Sequence, residues 1–106
     1  MVEQIKIQWA TEAINNLNEI HNYISRDSVF YADKTVDNIY VSVSKLSKYP
    51  EIGTPLTIKT PFLLRRILIK SFRVVYLYHN NTIFIVMVDR QKKLLPDNFD
   101  FIEKYI

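Results

Sequence analysis

At 106 residues, 48% of them hydrophobic and 24% charged, with a formal charge of +3, the chain suits one self-sufficient domain, residues 1–106, and not a disordered segment. Without cysteine, disulfides and thiol chemistry are excluded. His21 and His79 alone make no metal-ligand set, and a single glycine, Gly53, cannot build a glycine-rich phosphate cradle, so no metal and no cofactor are expected. The N-terminus lacks a charged segment followed by an apolar run, and Ile83–Val88 is too short to span a bilayer; a cytoplasmic protein with no membrane partner is the expectation.

Gln4–Trp9 alternates polar and apolar residues, the pattern of a half-buried strand. A helix should start near Thr11, because Ala13, Leu17, Ile20 and Ile24 make one apolar stripe and Thr11 and Glu12 suit a first turn. Ser25-Arg26-Asp27-Ser28 breaks that pattern, and Asp27 or Ser28 can cap a second helix. Its stripe is Ala32, Val36, Ile39, Val43 and Leu46, and Pro50 closes it. So short a link predicts two antiparallel helices. A loop with Gly53, Pro55 and Pro61 follows. Then the period changes: Leu63–Ile69, Phe72–Tyr78 and Thr82–Val88 read as strands, joined by tight turns at Lys70-Ser71 and at His79-Asn80-Asn81. The predicted class is α+β: an N-terminal strand, a two-helix hairpin, a three-stranded antiparallel sheet (β-α-α-β-β-β) and a tail over residues 94–106.

Charge divides unevenly along this order. Residues 59–93 hold eight bases and one acid, a net +7, while the segments before and after each sum to −2. A cationic sheet region of this kind is expected to meet something acidic: nucleic acid, an acidic partner segment or a phosphorylated ligand. Ile83–Val88 is apolar on both faces, so the sheet must be covered on both sides. The helices cover one. For the other, two readings stand side by side: the tail, with Phe99, Phe101, Ile102, Tyr105 and Ile106, closes the core, or an exposed apolar patch there receives a second protein.

Several pieces, in order, resemble the RelE/ParE toxin superfamily of bacterial type II toxin–antitoxin systems. Ile7-Gln8-Trp9 with Ala13, Leu17, Ile20 and Tyr23-Ile24 resembles its first strand and "A-x-x-x-L-x-x-I-x-x-Y-I" helix. Leu46, Pro50 and Gly53 resemble its "L-x-x-x-P-x-x-G" helix end. Arg66 with Phe72-Arg73-Val74-Val75-Tyr76 resembles its "R…(Y/F)-R-V-x-Y" strands, and Ile83–Val88 with Arg90-Gln91-Lys92 its last strand and basic end. The resemblance covers residues 5–93 and implies a twisted antiparallel sheet on a helical hairpin.

That superfamily has two activities. RelE-like members cut messenger RNA on the ribosome, with arginines and lysines for the phosphorane charge and a tyrosine or histidine near the C-terminus. ParE-like members break no bond of their own and poison DNA gyrase. Here Arg73 occupies the strand-arginine position and is the catalytic candidate if the chain is RelE-like, with Arg90 or Lys92 as second cation. Asp89 stands where many relatives place a histidine or a small residue, and Tyr105 is the tail's only tyrosine, so the catalytic set is incomplete. The resemblance therefore favours a growth-inhibiting, plasmid-stabilising ParE-like toxin that acts on DNA gyrase and is neutralised by a cognate antitoxin. The alternatives are a ribosome- and mRNA-directed endonuclease and a non-toxic binding module. Lys59, Arg65, Arg66, Arg73, Tyr76, Arg90, Lys92 and Lys93 are the candidate target or partner contacts. For Arg73 the competing reading is an internal ion pair with Glu19 or Asp37; for Tyr76 it is a core aromatic with a hydrogen-bonded hydroxyl.

Overall fold

The computed structural model describes residues 4–58 and 60–106. In chain order the elements are β1 (Lys6–Trp9), α1 (Thr11–Ser25), α2 (Val29–Ser44), a 3₁₀ turn over Lys45–Ser47, β2 (Thr54–Pro55), β3 (Leu64–Ile69), β4 (Phe72–His79), β5 (Thr82–Arg90) and a 3₁₀ segment over Asp100–Tyr105. The α+β order is the one the sequence implies. The sheet, however, has five strands in the order β1-β5-β4-β3-β2. The N-terminal strand joins it in parallel with β5, Lys6 opposite Thr82 through Trp9 opposite Ile85, and the long crossover that parallel pairing needs runs through the helical hairpin and then β2, β3 and β4. The fifth strand is a two-residue edge, Thr54 opposite Arg66 and Pro55 opposite Arg65, where a proline is tolerated because its missing N–H points off the sheet.

Local chemistry sets the element ends. Ser28 caps α2 by accepting the Tyr31 amide at 3.1 Å. At the start of α1, Ala10 offers no side-chain oxygen, and the Thr11 amide donates instead to the Tyr105 hydroxyl at 2.9 Å. The tail thus caps the first helix. Asn80 and Asn81 have φ of 49° and 58°, as a two-residue type I′ hairpin requires.

Two cores sandwich the sheet. On the helix side, Ala13, Ile39, Val43 and Leu46 pack on Phe72, Val74, Tyr76, Ile83, Ile85 and Val88. Trp9 packs at the margin of this core, its ring stacked on Tyr40 at 6.2 Å and 5°. On the other side, Leu64, Val75, Leu77, Phe84, Val86 and Met87 meet Phe99 and Ile102 from the tail. Full burial of each such side chain contributes about 1.5–3 kcal/mol. Of the two readings of this face, the structure shows the first: the chain's own tail occupies it.

Val86 and Met87 share the tail side because the β4–β5 ladder slips by one residue, with Tyr76 opposite Ile85 but Val75 opposite Met87. Val86 is the extra residue of a β-bulge. Beyond it, Arg73 faces Asp89 and Phe72 faces Arg90.

Candidate partner-binding surface

Consecutive strand residues point to opposite faces, so Asp89 and Arg90 part company at the end of β5. Asp89 lies on the tail side with Arg73. The Arg73 Nε and Nη2 groups donate to the two Asp89 carboxylate oxygens at 2.9 and 2.6 Å, a forked pair. Arg73 is only 6% exposed. Its Nη2 also donates to the Lys93 carbonyl at 2.9 Å. Arg73 is therefore in an internal ion pair, and its partner is a strand residue, not Glu19 or Asp37 on the helices.

Arg90 emerges on the helix side, where its guanidinium carbon lies 5.3 Å from the Tyr23 ring centroid and 5.5 Å from that of Phe72. Arg26, just past α1, approaches the same Tyr23 ring at 5.9 Å. These are cation–π distances. Among the described residues Arg90, Lys70, Lys92 and Lys93 form no ion pair.

Hydrogen bonds hold these cations at one end of the sheet. The Lys93 amide closes a turn on the Arg90 carbonyl at 3.1 Å, and the Gln91 amide reaches the Ser71 carbonyl at 3.0 Å. The Gln91 side-chain amide donates to the Lys70 carbonyl. The β3–β4 turn and the residues after β5 are thereby one basic corner, carrying Lys70, Arg90, Lys92 and Lys93. A polar groove of about 420 Å³, lined by residues including Asn16, Glu19, Tyr23, Arg90 and Lys93, runs beside it. Asn16 also accepts the Val88 amide at 3.0 Å, satisfying the edge of β5 beyond the end of β1.

The remaining candidates lie apart from this corner. Arg65 donates through Nη1 to the carbonyls of Glu51 and Gly53 at 3.0 and 2.8 Å. Tyr76 is fully buried; its hydroxyl accepts the Gly53 amide at 2.9 Å and donates to the Pro50 carbonyl at 2.8 Å. Burial holds that hydroxyl protonated above the ordinary tyrosine range. Arg66 is half-buried and opposite Val75, on the tail side. Lys59 lies outside the described residues. Sequence reasoning missed Tyr23, Phe72 and Gln91 as parts of the corner, and left Lys70 out of it; the doublet Lys70-Ser71, read as a tight turn, was the available signal.

The Tyr105 hydroxyl, besides capping Thr11, donates to Glu12 at 3.1 Å, and Lys104 meets the other Glu12 oxygen at 2.7 Å. The Lys104 ammonium holds the Glu12 carboxyl below its ordinary range. Among the described residues no group of three or more His, Cys, Asp or Glu side chains is placed to hold a metal ion, and no helix is long and apolar enough to cross a membrane.

A family model described as the ParE toxin of the type II toxin–antitoxin system parDE matches residues 7–95. The chain belongs to that family, and is a ParE-like member of the RelE/ParE superfamily. It is 36% identical over 55 residues to a Sinorhizobium fredii (strain NBRC 101917 / NGR234) protein named "Putative toxin Y4kP". That match covers 52% of this chain and 57% of the relative, so the chain spans little more than half of that protein's length. Its fold is similar to a chain of the chromosomal ParDE system from P. aeruginosa, with a TM-score of 0.69, 21% identity, and 82% of this chain and 96% of that one covered. A chain of the RelBE2 toxin–antitoxin complex from Mycobacterium tuberculosis is similar at a TM-score of 0.52, 18% identity, and 88% and 98% coverage.

Proposed function

We propose that the protein is a growth-inhibiting ParE-type toxin that acts by binding, inhibits DNA gyrase, and is neutralised by a cognate antitoxin. The observation that carries this reading is the Arg73–Asp89 pair. An RNA-cutting site needs several unneutralised cations converging on one phosphate. On the tail side of the sheet the strand arginine is buried and matched by a carboxylate at 2.6 Å. Arg90 leaves by the opposite face, and the Tyr105 hydroxyl is engaged at the start of α1. Of the described bases between residues 60 and 93, the exposed ones, Lys70, Arg90, Lys92 and Lys93, lie together at the basic corner, a surface suited to an acidic partner. In this reading Arg90, Lys92 and Lys93 make direct contacts, Arg73 positions the turn that carries them, and Arg65 and Tyr76 hold the loop over residues 50–53. The family match and the ParDE fold likeness support the toxin–antitoxin setting.

Two assays with the purified chain test it. Added to gyrase and supercoiled plasmid, it is expected to raise cleaved DNA and lower supercoiling. In a translating extract it is expected to leave messages intact. Unchanged gyrase with cut messages would replace this reading by the endonuclease one; no effect in either, together with harmless expression in cells, would leave a binding module.

A further inference from the structure

Toward the loop end of the helical hairpin, beside the Lys70-Ser71 turn, lies a cleft of about 250 Å³. Ile24, Ile39, Ile69 and Phe72 give it apolar walls, and Lys70, Arg90, Thr35 and Asn38 give it polar ones. We infer that this cleft docks an acidic peptide segment, one apolar side chain seated among the isoleucines and an adjacent carboxylate held by Lys70 and Arg90. For the segment's biological source, an antitoxin, the inference rests on the reading above; for its chemistry it does not.

Size points to a side chain. Small-molecule sites run from about 300 to 1,000 Å³, so this cleft suits one aliphatic or aromatic group better than a whole ligand. Charge points to an acid. Neither Lys70 nor Arg90 has an ion-pair partner among the described residues. Arg90 is also preorganised: contact with Tyr23 and Phe72 restrains its side chain before binding, which lowers the ordering cost of a forked contact. Lys70 is fixed at its backbone, with φ of 54° and its carbonyl held by Gln91. The Thr35 and Asn38 side chains make no hydrogen bond among the described residues and stand ready for a peptide backbone. Nucleic acid fits less well, since its bases need open aromatic faces, whereas the aromatic ring that lines the cleft, Phe72, is buried.

The test uses the full purified chain and a displayed library of random peptides about 12 residues long. Selected peptides are expected to pair an apolar residue with a neighbouring Asp or Glu. Their fluorescein-labelled forms should shift the methyl resonances of Ile24, Ile39 and Ile69. Arg90→Gln and Lys70→Gln should each weaken binding about tenfold or more, Arg90→Lys should restore little, and Thr35→Trp should block the cleft without changing either charge. Peptides without acid enrichment, affinity unmoved by Arg90→Gln and Thr35→Trp, or a single-stranded deoxyoligonucleotide that outcompetes every selected peptide would overturn the inference. The gyrase assay is read separately. Peptide binding with inert gyrase sinks the target alone, while active gyrase with cleft-independent peptides sinks this site alone.

Discussion

Gly53 and Tyr76 fit against each other so closely that a methyl group on the glycine would stand 2.7 Å from both Cε1 and Oη of the ring. The same methyl would lie 2.8 Å from the Arg66 carbonyl, which β3 holds in place. This contact joins two sequence features that looked separate, the Pro50–Gly53 helix end and the tyrosine of β4. Gly53→Ala should therefore destabilise the fold by about 1–3 kcal/mol through overpacking. Tyr76→Phe should cost a similar amount, about 1–3 kcal/mol, because the Gly53 amide and the Pro50 carbonyl both lose their partner. Urea unfolding of each variant checks this; midpoints equal to wild type would show that the loop is not anchored there.

The Arg73–Asp89 pair gives an asymmetric prediction. Asp89→Ala leaves a guanidinium buried without its counter-charge and should cost about 3–5 kcal/mol, whereas Arg73→Met with Asp89→Leu should be far milder, because removing both charges also removes their desolvation cost. If Arg73 only positions the turn, a folded double variant keeps much of its growth inhibition. Complete loss of toxicity in a double variant with wild-type stability would assign Arg73 a direct contact with the target.

The clamp between tail and α1 should depend on pH in a definite sense. Glu12 is held below its ordinary value of 4.5 by Lys104. Its contribution is present above that value and is lost as pH falls through the depressed one. Lys104 is raised in turn, so its share is intact below its ordinary range and fades only in strong alkali. Hydrogen exchange of the Ile102 amide, after correction for intrinsic rates, should thus be flat from neutrality down to about pH 4.5 and quicken below it. Glu12→Gln should remove the acid-dependent part. A tail whose protection is already falling between pH 7 and 5 contradicts the assignment.

Asn16 tests the open edge of the sheet. Asn16→Ala strands the Val88 amide in a strand that is almost wholly buried, and should cost about 1–3 kcal/mol. Asn16→Asp keeps the acceptor and should cost less. Thermal denaturation of the three chains ranks them; equal loss for Ala and Asp would mean the side-chain oxygen is not what β5 uses.

Periodicity made much of this fold legible before any coordinates. The stripes through Ala13 and Ile39 gave the hairpin, and the asparagine doublet gave the β4–β5 turn. Thr54–Pro55 left no pattern because two residues have no period. The pairing of β1 was hidden because it is made across the whole length of the chain. The partner of Arg73 was hidden by the bulge. Counting back from the Asn80-Asn81 turn without it places Val88 opposite Arg73, so Asp89 was not an evident neighbour. A run apolar on both faces conceals such a slip, since no polar residue marks the change of side. The basic corner was legible as charge, but its ring contacts depend on how α1 lies against β4 and β5, which composition does not report.

Val86 therefore does more than fill space. Were the ladder to run through it without the bulge, Asp89 would stand opposite Phe72 on the other surface and the strand guanidinium would lose its counter-ion. The cation on β4 is thus silenced by where the backbone register slips, with no side chain altered. Ladder register at this position is a chemical variable in its own right.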